Sequence, residues 1–527
     1  MKKLWFGGPI YTMEREQETV EAVLVENEKV IAVGTVDELK NRADELIDLQ
    51  GNAMYPGFVD SHLHILFQGE KLLRLDLSKA TSAEEMLDLV REAAQTTPSD
   101  KWLFGEGWNE NNFIDKRIPT LEELDNIRKE PILLTRVCHH VALGNTAALR
   151  AGGIEKTTPS PAGGEIGRDA NGQLNGLLYD QATTLVSNAI PKEGDSYIQY
   201  LVDALNLSID DMLSKGLTGG HSEDMSYFGN FKNPLIAYER VVGEKHHFRV
   251  NLLRHHTVFE EMMESNVRFD DPFIEPGAMK IFIDGALGGS TAALIEPYAD
   301  NPNNKGLFIH SDEQLESLVK LARKYHEAIA VHIIGDAAAE QVLNVIEKYP
   351  APNGKRDRLI HCCVLNEQLI QRMMVLPVVL DLQPAFVPSD FPWAIDRLGE
   401  ERLKYAYAWK TLIDRGLMCA AGTDAPVEDI DPIASIYAAV ERKKPKDEHE
   451  GYIPAEKLSR FEAIRAYTVG SAQAIGKEQE RGLIKPGYDA DFSIFDRDLF
   501  EGTSEDMLKA TAVQTVVAGR IVFKTQS

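Results

Sequence analysis

Short apolar runs alternate with segments of helical periodicity through most of this chain. Residues 312–327 illustrate the helical segments, because apolar side chains recur there at three- and four-residue spacing. The apolar runs predict eight buried strands, at residues 55–60, 217–220, 248–253, 279–283, 328–332, 358–361, 378–382 and 417–422. Nearly continuous apolar strands that alternate with amphipathic helices are typical of a parallel sheet covered on both faces. Eight such units predict an α/β fold with a (β/α)8 barrel of the TIM type.

The two ends of the chain share a different pattern. β-rich runs and turns occupy residues 21–33 near the start and 490–523 near the end. Because chain termini often lie close together in space, this pattern predicts one small β-sandwich domain built from both ends. The predicted boundaries are 1–56 and 480–527 for the sandwich, and 57–69 and 181–479 for the barrel.

One long insertion interrupts the alternation. About 150 residues separate the first and second predicted strands, which is more than a crossover connection needs. This stretch contains a turn at 118–120, a strand-like run at 131–134 and a glycine-rich segment around 163–172. We therefore expect an inserted α/β subdomain over residues 70–180. Since it follows a barrel strand, it should lie over the carboxyl-terminal face of the barrel.

Composition narrows the class of protein. Apolar residues make up 43% of the chain and charged residues 26%, which is typical of a globular protein and excludes a mostly disordered one. The net charge of −26 argues against nucleic acid and anionic membranes as partners.

No apolar run approaches the roughly 18 residues of a membrane span. The apolar start is broken at residues 7–9, so we expect a cytoplasmic protein. The four scattered cysteines predict no disulfide framework.

Four of the 14 histidines stand at the ends of predicted strands. His62 and His64 end the first strand, His332 ends the fifth and His361 ends the sixth. Residues i and i+2 of a strand face the same side, with Cα atoms about 6.6 Å apart, so His62 and His64 can converge on one ion. Because the carboxyl ends of all barrel strands meet at one face, the four imidazoles should gather there. This convergence predicts a metal site.

Two further residues belong to the same predicted face. Asp424 lies just past the eighth strand, in the segment 421–426, where a turn or a helix cap is the alternative explanation. Lys280 lies in the fourth strand, and a solvated lysine at a strand end is its alternative. A protonated lysine has no lone pair for a metal. A lysine whose pKa is lowered by burial could react with carbon dioxide, and the resulting carbamate could bridge two cations.

Together these residues resemble the amidohydrolase superfamily. The resemblance rests on Pro56–Gly57–Phe58–Val59–Asp60–Ser61–His62–Leu63–His64, on the strand-four lysine, His332 and His361, and on the segments 422–424 and 482–491. The segments 105–108, 119–125, 145–149 and 284–292 are similar to its YtcJ-like branch, which is related to N-substituted formamide deformylase.

The resemblance implies a role for each of these side chains. His62, His64 and Asp424 would hold one metal ion, while His332 and His361 would hold a second. Carbamylated Lys280, formed with carbon dioxide, would bridge the two. Zinc, as one ion or two, is the default for nitrogen and oxygen ligands, although manganese, iron or nickel also fit.

The corresponding hypothesis is metal-dependent hydrolysis of an amide-type, non-peptide C–N bond in a small molecule. Metal-bound hydroxide would attack the carbonyl, with Asp424 as general base and then as general acid. A deaminase or a cyclic-amide hydrolase on the same scaffold is an alternative. A non-catalytic binding or regulatory protein, and a lyase or isomerase on an unrelated barrel, are more remote. The sequence does not decide which metal is bound or whether the protein forms a homodimer.

Substrate contacts should come from the barrel loops and the insertion. An apolar or aromatic N-substituent is then favoured over a strongly anionic substrate. The candidates for the pocket wall are Trp108, Phe113, His140, Asp284, Phe391 and Trp393.

Overall fold

Strands cluster at both ends of the chain and alternate with helices between them. The computed structural model describes residues 1–99, 101–138, 140–243, 245–265 and 267–525. The strands are β1 (Lys2–Tyr11), β2 (Thr19–Glu26), β3 (Lys29–Gly34), β4 (Glu45–Asp48), β5 (Ala53–Pro56), β6 (Phe58–Leu63), β7 (Leu75–Asp76), β8 (Leu103–Trp108), β9 (Ile132–Arg136), β10 (Val141–Gly144), β11 (Gly164–Arg168), β12 (Leu174–Asp180), β13 (Leu217–Ser222), β14 (Arg249–His255), β15 (Ile274–Phe282), β16 (Ile329–Ile333), β17 (Asp357–His361), β18 (Val378–Leu382), β19 (Met418–Ala421), β20 (Phe492–Phe495), β21 (Ala512–Val517) and β22 (Arg520–Lys524).

An α-helix is the next described element after each of the eight barrel strands. The α-helices are α1 (Val36–Leu39), α2 (Ile65–Leu73), α3 (Ala83–Thr96), α4 (Leu121–Ile127), α5 (Thr146–Ala151), α6 (Thr183–Ser187), α7 (Asp195–Ser214), α8 (Lys232–Val241), α9 (His256–Glu264), α10 (Asp312–Lys324), α11 (Asp336–Lys348), α12 (Glu367–Met373), α13 (Phe386–Asp390), α14 (Trp393–Leu398), α15 (Trp409–Asp414), α16 (Pro432–Glu441), α17 (Arg460–Arg465), α18 (Ser471–Ala474) and α19 (Ser504–Met507). Short 3-10 turns lie at Lys40–Arg42, Glu110–Asn112, Glu400–Tyr405 and Pro454–Glu456, and a π-helical turn at Ala466–Gly470. None of the described helices is long and apolar enough to cross a membrane.

Eight parallel strands form the barrel sheet, in the order β6-β13-β14-β15-β16-β17-β18-β19. Each of the eight strands predicted from the apolar runs is present, so the α/β barrel is confirmed. The first prediction, 55–60, falls on two strands, because β5 ends at Pro56 and β6 begins at Phe58. Gly57 separates them, where a Cβ atom would lie 2.4 Å from the Thr218 Oγ1 atom. The turn into the barrel therefore requires glycine.

Backbone hydrogen bonds connect the last barrel strand to the first at their carboxyl ends. The Asp424 amide donates to the His62 carbonyl, and the His64 amide donates to the Ala425 carbonyl, both at 2.8 Å. The segment that follows β19 is thereby aligned with the end of β6. Residues more than 350 positions apart in the sequence become neighbours in this way.

Both chain ends contribute to a second, eight-stranded sheet. Its order is β22-β21-β20-β5-β1-β2-β3, with β4 beside β1. The two ends meet where β5 pairs with β20, with Tyr55 opposite Ser493. Trp5 and Phe492 pack in its core with ring centroids 5.6 Å apart. Strand pairing gives one continuous sheet built from both termini, and its closure into a two-layer sandwich stays a prediction.

The chain divides into two compact units, Met1–Gln68 with Leu205–Ser527, and Gly69–Ala204. The second unit contains a six-stranded sheet in the order β11-β12-β10-β9-β8-β7. Strands β7, β8 and β9 are parallel, whereas β9 to β12 pair antiparallel. Helices α3 and α4 cover part of this sheet with buried apolar side chains such as Met86, Leu87 and Leu124. The predicted limits at residues 70 and 180 stay predictions.

Candidate metal centre

Three side chains at the carboxyl ends of β6 and β19 converge. The Nε2 atoms of His62 and His64 lie 3.6 Å and 3.4 Å from the Asp424 Oδ1 atom. One ligand atom from each of the three residues lies within 4.8 Å of the others. The structure therefore brings together two imidazoles and a carboxylate in the number and spacing that one divalent ion can use.

The three other predicted ligands surround this group. The Lys280 Nζ atom is 3.2 Å from His62 Nε2. The His361 ring centroid is 5.7 Å from that of His62 and 4.6 Å from that of His332. All six side chains thus lie in one neighbourhood at the carboxyl-terminal rim of the barrel. Their assignment as ligands stays a prediction, and it enters the proposal below.

Hydrogen bonds to the opposite ring nitrogens orient two of the histidines. His64 Nδ1 is 2.6 Å from the Glu223 main-chain carbonyl, and His361 Nδ1 is 2.8 Å from Gln383 Oε1. Donation from Nδ1 to an oxygen leaves Nε2 unprotonated and free for a metal, which is the usual arrangement around histidine ligands. His332 differs, because its Nε2 is 3.3 Å from the Gly285 carbonyl, so Nδ1 carries its free lone pair.

Burial determines most of the protonation states here. It lowers the pKa of His62 well below its usual value and that of His361 to about 4, so both rings stay neutral. Burial also lowers the pKa of Lys280 to about 8. For His64, burial acts in the same direction, but the hydrogen bond and charge of Asp424 outweigh it and raise the pKa to about 9. His62 and His361 are thus neutral donors, whereas Asp424 holds a proton on His64 that a bound cation would have to displace, since histidine binds metals as the neutral imidazole.

Two of the candidate ligands have strained backbone conformations. His361 and Asp424 have φ angles of 78° and 58°, in the left-handed region that favours glycine. Each such conformation costs about 1–3 kcal/mol and persists where the surrounding structure enforces it. At Asp424 the enforcing contact is the amide hydrogen bond to the His62 carbonyl. This bond keeps Asp424 beside the end of β6 that carries His62.

Asp60 connects the end of β6, which carries His62, to the segment after β19, which carries Asp424. Its fully buried carboxylate accepts hydrogen bonds from the Thr423 hydroxyl at 2.6 Å, from the Thr423 amide at 3.1 Å and from the His62 amide at 3.1 Å. These bonds fix the residues directly before Asp424 against the strand that carries His62. Asp60 acts by positioning, since it touches the backbone of the ligands and not their side-chain donor atoms.

Replacing Asp60 by asparagine is expected to weaken metal binding about 10- to 100-fold, the usual cost of losing a partner that orients ligands. The amide offers one acceptor oxygen in place of two, so one of the three bonds is lost. Competition against a chelating dye measures the affinity. Thr423→Val, which removes one of these bonds but keeps the carboxylate charge, should have the smaller effect. An equal affinity in Asp60→Asn and the unchanged protein would show that Asp60 has no positioning role.

Sequence reasoning missed three residues of this neighbourhood: Asp60 as a positioning group, Gln383 and Glu223. The buried Glu223 carboxylate lies 4.0 Å from His64 Nδ1, and its charge counteracts the lowering of the Lys280 pKa by burial. One signal was available for it, since the acidic pair Glu223 and Asp224 directly follows the second barrel strand. Gln383 gives no such signal, because its role depends on a single contact to His361.

Two predicted pocket residues are core residues instead. Trp108 and Phe113 have no exposed surface and lie in the apolar core of the second unit. The Trp108 Nε1 atom donates to the Leu134 carbonyl at 3.0 Å, which satisfies its only polar atom. Neither side chain offers a surface to a substrate, so this expectation is corrected. His140, in the same unit, is exposed and lies 3.1 Å from the Asp180 carboxylate.

The other three predicted pocket residues have different surroundings. Asp284 is buried and accepts hydrogen bonds from the amides of Ile334, Gly335 and Ala293 at 2.8–3.0 Å. It anchors the loop after His332 and is better described as a positioning residue than as a wall. Phe391 is buried against Tyr407 and Tyr452. Trp393 is half-buried and donates to the Ser389 carbonyl at 3.2 Å.

Half-buried aromatic rings that were not predicted do border the centre. Phe67 and Tyr227 lie 5.8 Å and 6.1 Å from the His64 ring. Phe282 lies 5.2 Å from the His332 ring, and Phe386 is stacked at 5.8 Å on His361. Each keeps part of its surface exposed. These four rings form an apolar rim around the candidate ligands.

Comparison with known proteins identifies the class to which this barrel and its histidines belong. A model of the amidohydrolase family matches residues 45–523, and the chain belongs to that family. It is therefore a hydrolase of carbon–nitrogen bonds, which agrees with the expectation from the sequence motifs.

Particular relatives define the branch. The chain is 47% identical to YtcJ of Bacillus subtilis (strain 168), an amidohydrolase by name, over 99% of this chain and 100% of that protein. It is 26% identical to N-substituted formamide deformylase of Arthrobacter pascens, over 98% of this chain and 97% of that one. A metal-dependent hydrolase of unassigned function from Pyrococcus furiosus has a similar structure, with a TM-score of 0.80 and 28% identity over 95% of this chain and 100% of that one. The resemblance stated from the sequence is confirmed.

Proposed function

We propose that this protein hydrolyses an amide-type, non-peptide C–N bond of a small molecule with the help of a divalent metal, zinc by ligand preference. The observation that carries the proposal is the convergence of His62, His64 and Asp424 within 4.8 Å. In this proposal these three side chains hold one ion. His332 and His361 hold a second ion, and Lys280 lies between the two groups.

A divalent ion in this centre supplies a water of lowered pKa and polarisation of the substrate carbonyl. The remaining chemistry belongs to Asp424. Its carboxylate accepts a proton from the attacking water and delivers that proton to the leaving nitrogen when the C–N bond breaks. The contacts of its Oδ1 atom with both histidines support this role, because they hold the carboxylate beside the proposed ion.

Lys280 is proposed to act as its carbamate. Its side chain is fully buried, and the contacts of its Nζ atom are His62 Nε2 at 3.2 Å and the Phe282 ring at 4.6 Å. Neither contact is a counter-charge, and burial outweighs the nearby charges of Glu223 and Asp424 in setting the Lys280 pKa. A buried amine with a lowered pKa is the form that reacts with carbon dioxide, and the resulting carbamate would offer two anionic oxygens to the proposed ions.

The substrate class follows from the rim. Four half-buried aromatic rings next to the ligands favour an apolar or aromatic N-substituent. The relative from Arthrobacter pascens is named for the deformylation of N-substituted formamides, so N-formyl amines with aromatic substituents are the first compounds to test.

The experiment is a screen of the metal-loaded protein against N-formyl, N-acyl and cyclic amides, with amine, acid and ammonia measured separately. The proposal predicts amine and acid in equal amounts from acyclic amides. Ammonia as the main product would identify a deaminase, and a single ring-opened product would identify a cyclic-amide hydrolase. The first outcome would contradict the proposed bond type, and the second would contradict the proposed class of acyclic N-substituted substrates.

The four aromatic rings of the rim lead to a prediction about specificity for the N-substituent of the substrate. Phe386→Ala should raise KM about tenfold for an aromatic N-substituent and leave KM for a methyl substituent nearly unchanged, since about 1.4 kcal/mol of ring contact is lost. Phe308→Ala, at an exposed position, is the matched control. Equal effects on both substrates would mean that Phe386 supports the fold and does not contact the substituent.

A further inference from the structure

His255 ends the third barrel strand, β14, at the same rim as the candidate ligands. In the sheet it stands opposite Lys280 of β15. Paired residues of neighbouring strands point to the same face of a sheet, and the Lys280 amine reaches His62 inside the barrel. The preceding residue, Arg254, lies instead over the ring of Phe259 on α9. The His255 side chain therefore faces the interior of the barrel.

The His255 ring lies between two aromatic rings of the rim. Its centroid is 6.0 Å from that of Tyr227 and 5.8 Å from that of Phe282. Tyr227 borders His64, and Phe282 borders His332. His255 thus places an imidazole within the apolar rim, between the ring that borders the first group of candidate ligands and the ring that borders the second.

The hydrogen bonds of this imidazole determine where its proton lies. Nδ1 is 2.7 Å from the Thr257 hydroxyl oxygen and accepts a hydrogen bond from the Thr257 amide at 3.3 Å. Since an amide N–H only donates, Nδ1 is the unprotonated nitrogen of the ring, and Nε2 carries the proton. Among the described residues, this Nε2–H group has no hydrogen-bond partner, although only 9% of His255 is exposed. Buried polar groups in proteins nearly always have a partner.

We propose that His255 binds the substrate by donating a hydrogen bond from Nε2 to an oxygen atom of the N-substituent. This inference rests on the proposed function, in which the aromatic rim receives that substituent. Binding pockets are mostly apolar, with a few polar groups that select the ligand. An apolar rim with an N–H donor favours an aromatic substituent that carries a carbonyl oxygen. It disfavours the same ring without an acceptor, because the donor would then stay unpaired.

The test compares two N-formylbenzylamines, each prepared with one ring substituent at the ortho, meta or para position. The first carries an acetyl group, and the second carries an isopropenyl group, in which CH2 replaces the carbonyl oxygen. The benzyl carbon separates the ring from the C–N bond, so the two compounds have similar intrinsic reactivity. At the ring position that the unchanged protein hydrolyses fastest, His255→Phe should lower kcat/KM for the acetyl compound about fivefold, as expected for one hydrogen bond. The value for the isopropenyl compound should stay nearly unchanged.

A second variant separates substrate binding from helix capping, because His255→Phe also removes the acceptor at the start of α9. His255→Asn keeps an acceptor there, since asparagine is favoured at this helix position, and its shorter side chain lacks the Nε2 donor. It should show the same selective loss. If one variant does not fold, as judged by circular dichroism, the other decides. His449→Gln, at an exposed histidine, is the matched control and should keep both values of kcat/KM.

Selective loss for the acetyl compound would support the role of His255. An equal fall for both compounds would overturn it, because His255 would then act only through the fold. No fall for the acetyl compound would also overturn it, because His255 would then not contact the substituent. If the unchanged protein hydrolyses neither compound, the proposed substrate class is wrong, and this inference is wrong with it.

Discussion

Asp424→Asn is expected to lower kcat about 1,000-fold, within the range that general acid–base groups contribute. An asparagine side chain can neither accept the proton of the attacking water nor deliver it to the leaving nitrogen. One amide oxygen can still face the Nε2 atoms of His62 and His64, so metal content should fall only in part. Steady-state kinetics and elemental analysis on the same sample measure both quantities.

The matched control is Asp414→Asn, an exposed aspartate at the end of α15 that pairs with Lys410. It should leave kcat unchanged. If Asp424→Asn retains near-normal turnover, Asp424 has no role in proton transfer. If turnover and metal content fall in equal proportion, Asp424 serves only as a ligand.

Lys280→Ala is expected to lower kcat/KM at least about 100-fold and to reduce the number of bound ions from two to one. The alanine removes the anionic group that the proposal places between the two sets of ligands. Adding a small carboxylate such as propionate should recover part of the activity, because its carboxyl group can occupy the volume left by the lysine carbamate.

The matched control is Lys324→Ala, at an exposed lysine on α10. Its kcat/KM should equal that of the unchanged protein, with or without the added acid. Mass spectrometry of the protein at neutral pH and after acidification adds an independent readout. The carbamate adds the mass of carbon dioxide at neutral pH, and this added mass should be lost at low pH. Full activity in Lys280→Ala would contradict the bridging role. Loss of activity without any rescue would contradict the carbamate and favour a purely structural lysine.

The barrel was predictable because its strands are covered on both faces. Such strands are short continuous apolar runs, for example 378–382, whose predicted limits equal those of β18. The strand ends then place His62, His332 and His361 at one rim, since all parallel barrel strands end on the same face. The junction at Gly57 was less predictable, because one apolar stretch continues across two strands of different sheets.

The remainder of the site depends on tertiary contacts that leave no pattern in the sequence. Asp60 acts through hydrogen bonds to the His62 amide and to Thr423, and Gln383 through one hydrogen bond to His361, and nothing local distinguishes them from other polar residues. Aromatic residues show the same difficulty. Trp108 is fully buried in a core, whereas Phe386 borders the candidate metal centre. Both kinds of position favour large apolar rings, so sequence alone does not separate them.

The central claim is that His62, His64 and Asp424 hold a metal ion at the rim of the barrel. Anomalous diffraction at the zinc absorption edge, from crystals of the zinc-loaded protein, tests it most directly. The account predicts a peak about 2.0–2.2 Å from one donor atom of each of the three side chains. A second peak should lie about 3.5–4 Å away, next to His332 and His361. An active, zinc-containing protein with no peak at these residues would contradict the account.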